Sequence, residues 1–64
     1  MAIDTEAKMR LHLKMIKNKL LKEGCEQLQL YPMFCLYYDK HKDNYVLPKG
    51  QILDLACEVL IEEN

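Results

Sequence analysis

Met9, Leu13, Ile16 and Leu20 stand four, three and four residues apart. That rhythm commits the first third of the chain to a helix with one narrow apolar stripe. The signals at its ends agree with the period. Asp4 or Thr5 can cap the start and Glu6 suits the positive end of the helix dipole. Lys19 and Lys22 suit the negative end, and Gly24 can adopt the left-handed stop. The spacing therefore predicts a helix over residues 4–23. Its stripe has the width of a seam for another element.

A second helix is expected over residues 49–62, once Pro48 and Gly50 have punctuated the chain. Ile52, Leu53, Leu55, Ala56, Val59 and Leu60 take up a wide arc, whereas Gln51, Asp54, Glu58 and Glu62 form one polar strip. A helix patterned in this way is covered on more than one side and belongs at the centre of the core.

The middle of the chain carries two conflicting signals. Over residues 27–38 the even positions Leu28, Leu30, Phe34, Leu36 and Tyr38 are apolar, interrupted by Pro32, as in a strand with one buried face. Residues 34–38 would then pair with 45–47 across the polar turn 39–44. The rival is a helix over residues 32–43, opening on Pro32 and turning Phe34, Tyr37 and His41 inward. We place the hairpin first. The expected architecture is an α+β helix–hairpin–helix fold in one domain spanning residues 1–64, with an all-α three-helix domain as the alternative.

Sixty-four residues bury only about 60% of the surface that the unfolded chain exposes, so one core alone gives marginal stability. Half the residues are apolar and 30% are charged, which excludes a disordered chain. The N-terminal residues lack the basic start and apolar stretch of a signal peptide, and the longest apolar run, residues 30–38, is too short to span a bilayer. Cys25, Cys35 and Cys57 are odd in number and unpatterned in spacing, which fits a reducing, cytoplasmic setting better than a disulfide framework.

Little in the sequence points to chemistry. His12, His41 and the three cysteines form no ligand pair from a single turn, so they read as packing or surface residues and not as a metal site. A catalytic thiolate needs a base, an orienting group and oxyanion donors held rigidly around a cleft, which a domain of this size has little room to build. There is no glycine-rich phosphate loop, and nothing calls for a cofactor. Asp54, Glu58 and Glu62 recur every four residues, a row more typical of a solvated or partner-facing strip than of an acid–base pair.

Charge is distributed unevenly. Residues 1–22 hold six basic and two acidic side chains, and residues 23–64 hold three basic and eight acidic ones. Arg10, Lys14 and Lys17 lie on one flank of the first helix, and Lys8 and Lys19 on the other. One use of that flank is contact with nucleic-acid phosphates, against which stand a net charge of −1 and a pI near 6.1. The other is protein association, with the basic first helix facing the acidic strip of Asp54, Glu58 and Glu62 on a second copy. Salt bridges within one chain are the plain competitor.

Leu11, Met15 and Leu21 fall off the apolar stripe and need cover, and four tyrosines, Tyr37 among them, crowd the middle of the chain. These features point to a non-enzymatic adaptor or regulator that binds protein and forms a homodimer, with a small nucleic-acid-binding regulator as the alternative. The candidate contact residues are Arg10, Leu11, Lys14, Met15, Lys17, Leu21, Tyr37, Asp54, Glu58 and Glu62.

Overall fold

The computed structural model describes residues 2–62. The first helix, α1, runs Glu6–Lys22. Thr5 supplies the cap: its backbone is extended and its Oγ1 accepts the Lys8 amide at 3.2 Å. At the other end Gly24 takes a φ of +95°, the amide of Gly24 donates to the Leu21 carbonyl, and that of Cys25 donates to the Leu20 carbonyl. This pair of bonds closes a left-handed helix stop, and it brings Cys25 and Leu20 back against the core. Met9 and Leu13 are fully buried, while Ile16 and Leu20 are half-buried at the edge of the same stripe.

The hairpin does not form. A 3₁₀ turn, Gln27–Gln29, leads directly into α2, Leu30–Lys40, so the described residues hold three α-helices and no sheet. The alternation that suggested a strand is shared by a four-residue rhythm: Leu30, Phe34 and Tyr38 satisfy both. The structure separates the two. Leu30 and Phe34 are buried and Tyr38 packs on them, whereas Leu28 and Leu36, which a strand would also turn inward, are 85% and 59% exposed. Pro32 is tolerated because it sits in the first turn, where its missing N–H has no partner to lose. The helix also starts two residues before Pro32, ahead of where the rival reading opened it.

His41 ends α2, and Lys42–Asn44 form a second 3₁₀ turn. The segment expected to pair with residues 34–38 is extended, but its partner is the N-terminal arm. Ile3 and Tyr45 form an isolated parallel bridge, with the Ile3 amide donating to Asn44 at 2.8 Å and the Val46 amide donating to Ile3 at 3.0 Å.

Pro48 then opens α3, Lys49–Cys57, which continues as a π-helical turn over Glu58–Glu62. Widening the helix changes the phase of its last side chains, and both Val59 and Leu60 are buried. Side chains from elsewhere reach the carbonyls of this turn: Lys17 Nζ lies 3.4 Å from the Val59 oxygen, and Gln27 Nε2 lies 3.5 Å from those of Leu60 and Ile61. With Ile52, Leu55 and Ala56, the last helix supplies more of the core than α1 or α2 does.

Candidate protein-binding surface

Burying Met9 and Leu13 against α2 and α3 fixes the rotation of α1, and that rotation leaves the off-stripe residues outside. Leu11 and Met15 are 62% and 63% exposed, and Leu21 is 40% exposed. The helix α2 adds Met33, Leu36 and Tyr37 to the apolar surface. Leu11 and Met15 line a groove of about 430 Å³, in which Lys8, Leu11, His12 and Met15 of α1 face Ala2 and Ile3 of the arm. A second groove, of about 230 Å³, lies between Ile16, Lys19, Leu20 and Glu23 of α1 and Met33, Leu36, Tyr37 and Lys40 of α2. His12 of the first groove and Tyr37 of the second are in ring contact, with a centroid distance of 6.0 Å.

An aromatic cluster centred on Tyr45 lies against His12. Tyr45 stands 5.2 Å from Tyr38, 5.5 Å from His12 and 6.4 Å from Phe34, between ring centroids. The Tyr45 hydroxyl and Nε2 of His12 are hydrogen-bonded at 2.8 Å. Burial pushes the imidazole of His12 below its usual range, because the charged form loses water. Burial likewise pushes the Tyr45 phenol up, with Tyr37 and Tyr38 adding to the effect. Tyr37 stacks on His41 at 4.4 Å, so the ring on the groove wall is held from both sides. At the outer rim Lys8 donates to Asp4 at 3.0 Å, and that bond and the lysine charge hold the Asp4 carboxyl below the ordinary carboxylate range.

The charged candidates lie elsewhere. Arg10 turns toward α3 and donates to Glu58 at 2.9 Å, with Glu6 of its own helix at 3.2 Å. Lys17 reaches the π-helical turn on the same side, and Lys14 is exposed between them. Asp54 and Glu62 are exposed on the last helical segment. The contact expected between the basic helix of one copy and the acidic strip of another is thus made within a single chain at Arg10 and Glu58. No sequence signal links those two positions.

Of the expected surface residues, the structure brings Leu11 and Met15 to the first groove and Tyr37 to the second, and leaves Leu21 without a place on either groove wall. Met33 and Leu36 are additions, and the strand reading turns Leu36 inward. Among the described residues no three His, Cys, Asp or Glu side chains converge to hold a metal ion. Cys25 and Cys35 are half-buried and Cys57 is exposed, all as free thiols. No helix among the described residues is long and apolar enough to cross a membrane. No protein-family model matches the chain, and neither a curated protein nor a solved structure matches it.

Proposed function

We propose that the protein is a non-enzymatic association module, an adaptor or regulator, that pairs with a second copy of itself through the face shared by α1 and α2. The observation that carries this reading is the exposure of Leu11, Met15 and Leu36, each more than half open to solvent along two grooves that both have α1 as a wall. Apolar side chains clustered along grooves mark an interaction surface, whereas scattered ones need no explanation. A short chain also gains more than a long one from covering such a face, because its own core is small. Free thiols go with a reducing, cytoplasmic setting for this role. The nucleic-acid reading has less support, since Arg10 and Lys17 of its basic flank are engaged with the last helical segment.

Sedimentation equilibrium tests the proposal. The wild-type chain should behave as a dimer at micromolar concentration, and Leu11→Lys with Leu36→Lys should sediment at the 7.6 kDa chain mass while keeping its helical circular dichroism. A wild-type protein that stays at the single-chain mass at every concentration overturns it.

A further inference from the structure

The helix α1 lends four residues to each groove: Lys8, Leu11, His12 and Met15 to one, and Ile16, Lys19, Leu20 and Glu23 to the other. Read backwards from the point between Met15 and Ile16, the second set falls on the first position by position. Lys8 corresponds to Glu23, Leu11 to Leu20, His12 to Lys19, and Met15 to Ile16. Any stripe spaced i, i+3, i+4, i+7 reads the same backwards. What is particular to this chain is the residue types, with opposite charges in Lys8 and Glu23 at the ends and two leucines inside them. A two-fold interface repeats such a relation when residue i of one copy meets j of the other.

We infer that the second copy lies antiparallel along α1, on a two-fold axis passing between Met15 and Ile16, so that Lys8 of each copy faces Glu23 of the other. The inference rests on the self-association proposed above and fixes its direction and register. Opposite charges then meet at both ends of a seam about 22 Å long, given the rise per residue of a helix. Leucine meets leucine inside each end. Met15 and Ile16 pack at the axis, and Lys19 approaches an imidazole, not another ammonium group. A parallel pair in register would set Lys8 against Lys8, Lys19 against Lys19 and Glu23 against Glu23. An acidic helix from an unrelated protein would suit Lys8, Lys19 and Lys40 but would confront Glu23 with like charge. A second copy in reverse is the occupant that answers both ends at once.

Two charge reversals test the register. In Lys8→Glu the dimer would place carboxylates opposite each other at both ends, and in Glu23→Lys it would place ammonium groups opposite each other. Each variant alone should dimerise about tenfold more weakly than wild type. Mixed in equal amounts, the two restore both attractive contacts, so heterodimers should dominate. With one variant labelled uniformly with ¹⁵N, native mass spectrometry distinguishes the three dimers by mass. Circular dichroism of each variant checks that the helices persist, since Lys8→Glu also removes the bond to Asp4. A heterodimer share well above one half supports the antiparallel register. A statistical mixture, with both variants dimerising as tightly as wild type, overturns the register and leaves the association standing. A wild-type chain that never dimerises overturns the association itself.

Discussion

Replacing Tyr45 with phenylalanine isolates its hydrogen bond to His12. The ring contacts to His12, Tyr38 and Phe34 survive this change, so the loss reduces to the 2.8 Å bond between the hydroxyl and Nε2 of His12. His12 is only half-buried, and water can replace the hydroxyl at its nitrogen. The cost is therefore that of an ordinary net hydrogen bond, about 1 kcal/mol, and not the larger penalty of an abandoned buried acceptor. In a domain this small that lowers the melting temperature by about 4–8 °C.

The pH dependence supplies a second reading of the same site. Because burial lowers the folded-state pKa of His12 below the ordinary 6.5, the unfolded chain binds the proton more readily. Stability from the neutral imidazole is present above the unfolded value and is lost as pH falls through the window below it. Thermal melts followed by circular dichroism between about pH 7.5 and pH 5.5 should show wild type and Tyr45→Phe declining in parallel, since desolvation and not the hydroxyl causes the shift. His12→Gln should flatten that decline. A Tyr45→Phe protein that melts with wild type, or a wild-type profile that is flat through this window, refutes the assignment.

Phe34→Ala removes a fully buried ring from the centre of the core and should cost about 3–5 kcal/mol. A chain of this length has roughly 3–10 kcal/mol in total, so urea titration should find the variant largely or wholly unfolded. Gly24→Ala meets no atom within 4 Å, so its cost comes from the left-handed backbone alone, about 1–2 kcal/mol, read as a lower urea midpoint. Arg10→Gln should lower the melting temperature only slightly, because both of its ion pairs are partly exposed. A collapse of the fold in that variant would show that α1 is held to the last helical segment by charge and not by Met9 and Leu13.

The first and last helices are legible because their signals are redundant. In α1 the stripe, the Thr5 cap and the Gly24 stop all give the same answer, and the same pattern leaves Leu11 and Met15 outside. The middle was ambiguous for a geometric reason: a two-residue and a four-residue period coincide at Leu30, Phe34 and Tyr38, and nothing local says that Leu28 and Leu36 face water. Mistaking that segment for a strand also hid Leu36 from the surface. The π-helical turn left no mark beyond two adjacent buried residues, Val59 and Leu60. Arg10 with Glu58, His12 with Tyr45, and Ile3 with Tyr45 are contacts between distant positions, which only the assembled helices bring together.

The bridge between Ile3 and Tyr45 bears on local opening. It joins residues from near the start of the chain to residues beyond α2, so the entropy of closing that long loop must be met before its two backbone bonds form. The packing of α1 on the last helical segment closes loops as long, at Arg10 and Glu58 among others, but it is backed by the buried core, whereas the arm is tied by two backbone bonds. The arm is then the first piece to fray. Ala2 and Ile3 are one wall of the larger groove, so that groove loses a wall when the arm frays. Hydrogen exchange at the amides of Ile3 and Val46 would follow the loss of that wall directly, at rates set by local opening and not by global unfolding.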